Sequence, residues 1–396
     1  MRQHMILFFC FASSISTVSG RTMACKAESR PGKAIYTITN DQTNSVIAIP
    51  ISSNGMLSKG ATFSTGGSGS NFLDGTANEP AAPDALASQS ALTIAGNSLF
   101  AVNAGSNTVT MFAIDPSNPT KLTMMGRPVA VPCQFPNTIA ASMKHNVVCV
   151  GCSGKQSGVS CAEFSTDGLR SMDTLRPVEL SQTTPPVGPT NTISQVFFSN
   201  NQDILFTTVK GDPSQNKTGF LGAYKVNSQG SVEHDGVQSS PNGTAVLFGS
   251  STIPWSNNLF VTDASFGGAI LSIDSKTNVA SVKGMSVVGG QKATCWVAVS
   301  LATGSAFVTD VGTNRLIEMS LSDASIQSII DLSANGDPGL TDLRAAGHFV
   351  YALSPGNGTT QSAITVVDTA AKKQVQHFAL RQLGVGKSAQ GMAVML

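Results

Sequence analysis

The chain has 396 residues, of which 41% are hydrophobic and only 12% charged, with a formal net charge of +1. That composition can fill a core, and it excludes the strong single-sign field with which a protein attracts nucleic acid or an anionic membrane. Charge is scarce and Gly, Ser, Thr and Asn are plentiful, as in a chain dominated by turns.

Residues 1–20, MRQHMILFFCFASSISTVSG, carry Arg2, an apolar stretch from Met5 to Ala12, and small residues ending in Val18-Ser19-Gly20. This is the order of a cleaved signal peptide, and its apolar part is too short to span a bilayer as a helix. Residues 21–396 are then expected to form a single secreted domain, extracellular or held in a cell wall. Without Cys10, six cysteines remain: Cys25, Cys133, Cys149, Cys152, Cys161 and Cys295. An even number suits an oxidising compartment. Sequons at Asn216, Asn242 and Asn357 fall in polar loops and are expected to carry glycans.

The first clear elements lie in Gln89–Asp115, QSALTIAGNSLFAVNAGSNTVTMFAID. Leu92–Ile94, Leu99–Val102 and Thr108–Ile114 alternate apolar and polar residues between Gly/Asn clusters, which predicts three antiparallel strands. The unit recurs from Ala34, Ser98, Asn146, Ile204, Asn258, Ser305 and Phe349, seven copies in all. Between copies lies one more strand, such as Leu122–Val131 or Ala280–Val288. Repeats of this length with four strands each predict an all-β, seven-bladed β-propeller of four-stranded blades. The first copy lacks an opening strand and Gln390–Leu396 is a surplus strand at the end. Pairing that strand into blade 1 would close the ring and remove its exposed edges. Two insertions, Ser64–Ser88 and Ser181–Thr190, join outermost strands to the next innermost ones and belong on one face.

The phrases FVTDVGTNRLIEMSL and FAVNAGSNTVTMFAID resemble repeats of the seven-bladed lactonase propellers. That family includes 6-phosphogluconolactonase-like proteins and the fungal 3-carboxymuconate cyclases, and the chain looks most like the secreted fungal branch. The resemblance implies a central channel lined by His, Arg and Glu, where a carboxylated substrate is held and a proton moved. Counting back 14 positions from the second-strand ends Asn103, Gly151, Val209 and Asp310 reaches Gln89, Asn137, Gln195 and Trp296. These are the expected channel-lining residues of blades 2, 3, 4 and 6. Where the family often has His, this chain has Trp296. His145, His234, His348 and His377 all fall elsewhere in the repeat.

The remaining candidates are polar residues at the expected channel mouth. Asp263 and Asp310 end second strands of adjacent blades and could move protons or hold a hard cation through oxygen ligands. Asp or Asn at a strand end also commonly bonds its own turn. Asp342 and Arg344, on the opening strand of blade 7, form a candidate anion-binding pair, with Arg315 a further partner for Asp310. Asn103 completes the mouth. Catalysis, if present, is assigned to Asp310, Asp263 and Arg344, and substrate contact to Gln89, Asn103, Asn137, Gln195, Trp296 and Asp342. No metal or cofactor is assigned. Cys149-Val-Gly-Cys152 lacks a second such pair, so disulfides are expected instead, a Cys152–Cys161 hairpin staple with Cys133 and Cys149 on neighbouring strands being favoured among the 15 pairings that six cysteines allow. No GxSxG elbow is present. Two functions stay open. One is a lactonase- or cycloisomerase-like enzyme for a small carboxylated lactone or muconate. The other is a non-enzymatic extracellular adhesin, antigen or effector that binds a host or cell-wall partner; the candidate partners are a small-molecule or carbohydrate ligand and an extracellular protein or cell-wall component. The protein is expected to be a monomer.

Overall fold

The computed structural model describes residues 31–396; the expected signal segment, Cys10 and Cys25 lie outside the described residues. Alternating segments pair as antiparallel hairpins because a period of two turns one row of side chains to each face of a strand. In blade 2, Leu92–Ala95, Ser98–Asn103 and Thr108–Ile114 pair with Ile94 opposite Leu99 and Phe100 opposite Met111. Gly96 sits in the first turn at φ 58°, the left-handed conformation that a two-residue hairpin loop demands. The fourth strand, expected over Leu122–Val131, is broken into Leu122–Met124 and Val129–Ala130, both paired to the third.

Seven such sheets follow one another, with innermost strands starting at Gln390, Leu92, Pro136, Ile193, Leu247, Thr294 and Leu343 for blades 1 to 7. Each innermost strand lies against the next, and Gln390–Met395 lies between those of blades 7 and 2. It pairs with Ala34–Ile38, Ala34 opposite Met395 and Ile35 opposite Val394, in a sheet continued by Ser45–Pro50 and Ala61–Ser64. The protein is a seven-bladed β-propeller whose C-terminal strand closes blade 1. Side chains from facing sheets fill the gaps between blades: Phe100 and Phe164 meet edge to face at 4.8 Å, and the Tyr351 hydroxyl of blade 7 donates to Gly55 O of blade 1 at 2.9 Å. No helix among the described residues is long and apolar enough to cross a membrane.

The four cysteines of blade 3 are all bonded, but not in the pairs expected. The bridges are Cys133–Cys152 and Cys149–Cys161. Register decides this. Cys149 stands directly opposite Cys161, whereas Cys152 faces Gly158 and is out of reach of Cys161. Cys295 is free and buried. The bridges span 12 and 19 residues, so replacing either pair by alanine is expected to cost about 3 kcal/mol, read as a lower denaturation midpoint in guanidinium chloride.

Both insertions lie over the same face of the ring, where outermost strands cross to the next blade. They pair with each other: Leu73–Asp74 runs parallel to Val187–Gly188, with Leu73 N donating to Pro186 O at 2.9 Å and Gly75 N to Gly188 O at 3.0 Å. Together they form a cap over the axis. The first insertion then turns inward. Asp84, Ala87 and Ser90 take φ values of 63°, 49° and 67°, and these left-handed residues bend segment 84–90 down into the ring.

Candidate functional site

Segment 84–90 stoppers the channel, and its hydrogen bonds reach blades on every side. Ser88 O accepts from Trp296 Nε1 at 3.0 Å, the Ser88 hydroxyl donates to Asn137 O at 2.6 Å, and Gln89 N donates to Ser194 O at 2.9 Å. The Gln89 amide reaches across to blade 6, giving to Val297 O at 3.1 Å and accepting from Val297 N at 3.0 Å. Position 249 must be glycine for this approach, since a Cβ there would lie 2.3 Å from Gln89 Oε1 and 2.5 Å from Cys295 O. The stopper divides the axis into a chamber beneath the cap and a vestibule open on the far face.

The chamber, of about 380 Å³, is walled by Phe72 and residues 79–84 of the cap, by Pro189, and by Val246, Phe248, Ala264, Ala293 and Val311 of the ring. Five ionisable side chains line it: Asp74 and Glu79, which reach solvent, and Asp84, Lys210 and Cys295, which are buried. Asp84 and Lys210 are 7% and 2% exposed. The Lys210 ammonium donates to Ala87 O and stands 4.4 Å from the centre of the Phe248 ring. Asp84 lies beside the Ala87 and Ser88 amides and the buried Gln390 side chain, which soften the cost of burying its charge. Burial raises the Asp84 carboxyl and lowers the Lys210 ammonium, and each charge partly offsets the cost of the other. Burial, with the Asp84 charge adding to it, also pushes the Cys295 thiol well up, so it stays protonated. A carboxyl and an amine whose environments drive both toward neutrality are the usual components of acid–base chemistry.

The vestibule comprises two overlapping cavities of about 270 and 320 Å³, both lined by Ser90, Phe197, Phe198 and Thr252. Gln89, Gln195 and Arg344 line the first. The Gln195 amide is spent on Ser250, accepting from its N at 2.6 Å and donating to its O at 3.1 Å. Arg344 is bound to Asp342 at 2.5 Å and to the Ser90 hydroxyl at 3.0 Å. The second Asp342 oxygen accepts from Ser90 N and Met392 N, both at 3.1 Å. The pair therefore anchors the stopper and the closing strand.

The remaining candidates are not brought to either cavity. Asp310 Oδ2 accepts from Lys292 N at 2.7 Å and Ala293 N at 3.0 Å, and its Oδ1 from Gly312 N at 2.8 Å. Asp263 is bonded alike, to Ala245 N, Val246 N and Ser265. Each carboxylate ties the second strand of its blade to the approach of the innermost one. Neither lines the chamber or the vestibule. They share no mouth with Arg344, because the stopper stands between. Arg315 gives its guanidinium to Gly289 O at 2.8 Å, not to Asp310. Asn103 is saturated by Asn44, Thr65, Thr108 and Thr110, and Asn137 by Leu86, Ile193 and Ser153. Trp296 is fully buried, packed edge to face on Phe248 at 5.0 Å. His145 and His377 pair with Asp203 and Asp337, and no histidine lines either cavity. Among the described residues no group of three or more His, Cys, Asp or Glu is placed to hold a metal ion.

Of the residues missed, Asp84 lies in the first insertion, outside the repeat, while Lys210 and Cys295 lie one step from positions used in the count. A bulge recurs near the start of innermost strands, leaving Asn137, Ser194 and Cys295 unpaired between Pro136 and Thr138, Ile193 and Gln195, and Thr294 and Trp296. Bulges re-aim side chains next to functional sites. Cys295, beside the counted Trp296, and Lys210, beside Val209, are the ones that reach the chamber.

No known family model and no curated protein matches this sequence. Solved structures do. A periplasmic gluconolactonase of Pseudomonas aeruginosa, PpgL, superposes with a TM-score of 0.62 at 14% identity, over 91% of this chain and 99% of that one. A functionally unknown protein from Desulfotomaculum acetoxidans gives 0.60 at 12% identity, over 91% and 98%. A candidate 6-phosphogluconolactonase from Bacteroides uniformis gives 0.52 at 12% identity, over 70% and 80%. At these identities the likeness is one of fold alone, that of the β-propeller.

Proposed function

We propose that this protein is a secreted acid–base enzyme for a small carboxylated lactone or muconate, in the manner of the 3-carboxymuconate cyclase-like branch, with the capped chamber as its active site. One observation carries this: Asp84 and Lys210, both buried, line the same chamber and stand close enough for each charge to shift the other's titration. In lactone hydrolysis, the ionised Asp84 takes a proton from the attacking water and the Lys210 ammonium stabilises the oxyanion formed at the carbonyl. The ring C–O bond then breaks, and Asp84 returns the proton to the departing alkoxide. Phe72, Phe248 and the prolines of the cap exclude bulk water, which strengthens both interactions. Lactone chemistry is also that of the Pseudomonas aeruginosa gluconolactonase with which the fold superposes. Two disulfides and the exposed sequon asparagines Asn216, Asn242 and Asn357 support export and glycosylation of a single domain over 21–396. The non-enzymatic alternative draws its support from the exposed Trp255, on the face away from the cap.

The test is a turnover screen of the purified protein against δ- and γ-lactones bearing a carboxylate and against carboxymuconates. Asp84→Asn is expected to lower kcat/KM by about 100-fold or more, with kcat carrying the loss. Lys210→Met should lose a similar factor. Activity indifferent to Asp84→Asn but abolished by Arg344→Ala would move the site to the vestibule.

A further inference from the structure

Trp255 is 93% exposed and stands in the left-handed region at φ 57°, which is unfavourable for a bulky L residue. The turn that presents it is nevertheless rigid. Ser256 Oγ donates to Ile253 O at 3.0 Å and accepts from Asn258 N at 3.1 Å. From the neighbouring blade, Asn200 Nδ2 donates to Ile253 O at 2.8 Å and to Ser256 O at 3.0 Å. An indole is thus held out into solvent by bonds from two blades, at a position where a small polar residue would make the same turn with less strain. Such an outlier asks for a functional explanation.

The indole borders a groove of about 340 Å³ between blades 4 and 5, near the low end of the size range of small-molecule sites. Its floor includes Ile204, Phe206 and Leu259, its remaining walls are amides and hydroxyls, and no charged side chain lines it. Asn278, only 4% exposed, lines the groove and makes no side-chain hydrogen bond to any described residue. Its amide, like that of the exposed Asn257, is available to a ligand.

We propose that this groove binds a neutral saccharide. The C–H face of a pyranose stacks on the Trp255 indole, and its hydroxyls exchange donors and acceptors with the amides of Asn257 and Asn278. A charged ligand would find no counter-charge in the groove, and a purely apolar one would leave the Asn278 amide buried and unpaired. The groove lies on the face of the ring away from the cap, so the inference stands independently of the chemistry assigned to the chamber.

Fluorescence gives a direct readout, because Trp255 and the fully buried Trp296 are the only tryptophans. The protein is titrated with three probes: a tetramer of N-acetylglucosamine, a tetramer of β-linked glucose and a tetramer of α-linked mannose. At least one is expected to give a saturable blue shift of the exposed tryptophan, and the one that does names the sugar. Calorimetry with that probe should show binding weakened roughly tenfold or more by Trp255→Ala, less by Trp255→Phe, and clearly by Asn278→Ala. Exposed Lys373→Ala on blade 7 should bind as the parent does. The melting temperature of each variant is measured alongside. Should Trp255→Ala fail to fold, Trp255→Phe and Asn278→Ala decide the matter. No saturable response to any of the three probes, or unchanged binding in folded Trp255 and Asn278 variants, overturns the proposal.

Discussion

Deletion of residues 390–396 is expected to abolish cooperative folding. Gln390–Met395 is the innermost strand of blade 1 and touches the innermost strands on both sides, so its loss opens the ring at its tightest point. Ala34–Ile38 would become an edge strand, although every residue in it is buried and apolar or hydroxylic. Lys33 N would lose Met395 O, the Thr37 hydroxyl would lose Gln390 O, and Asp342 would lose Met392 N while remaining fully buried. Asp342 keeps Arg344 and Ser90 N, so the main cost is the exposed apolar edge and the opened ring, several kcal/mol against the marginal stability of an ordinary domain. The deletion variant should therefore be insoluble, or show no sigmoidal urea transition by near-UV circular dichroism. A soluble variant melting within about 4 °C of the full chain would mean that the ring closes by other means.

The second large effect concerns Asp84 and Lys210, and here the double variant is the informative one. Asp84→Asn alone leaves the Lys210 ammonium buried without its compensating charge, and Lys210→Met alone leaves the Asp84 carboxylate in the same position. Each single change is expected to cost about 3 kcal/mol at neutral pH. Asp84→Asn with Lys210→Met removes both charges, and should be as stable as the parent or up to about 4 kcal/mol more stable, while losing turnover. The pH dependence follows from the two directions of shift. A folded carboxyl raised above its ordinary 3.8 keeps a proton that the unfolded chain has released, so Asp84 makes the parent lose stability as pH rises from that value toward the folded one. A folded ammonium lowered below its ordinary 10.5 binds fewer protons than the unfolded chain, so Lys210 makes stability rise with pH up to that value. Urea titrations from acidic to alkaline pH should show both contributions in the parent, and the difference between parent and double variant should carry both slopes. Single-variant costs that simply add in the double variant would show that the two groups do not interact.

Much of the ring was legible because one alternating pattern, punctuated by Gly and Asn turns, is repeated until only a propeller satisfies it. Gln390–Met395 was legible for the same reason: a strand without a sheet must complete a sheet without a strand. The reactive groups were not legible, for three physical reasons. Counting from strand ends assumes an unbroken ladder, and the bulges at Asn137, Ser194 and Cys295 shift which residue reaches the chamber. Asp84 lies in an insertion, where no period constrains it. Asp263 and Asp310 looked like a catalytic pair because sequence shows carboxylates and not the backbone amides that occupy them. Cysteine pairing failed on register: Cys161 faces Cys149, and Cys152, an odd number of residues further along that strand, points to the other side of the sheet.

Segment 84–90 also sets the traffic of the molecule. A ring with an open axis lets a substrate arrive at one end and its product depart at the other. This ring is a dead end from both directions. Whatever enters the chamber beside Asp84 cannot pass the stopper, so it leaves on the cap side by which it came in. Product should accordingly compete with substrate for a single doorway, while a molecule seated at the opposite end of the axis leaves that exchange undisturbed.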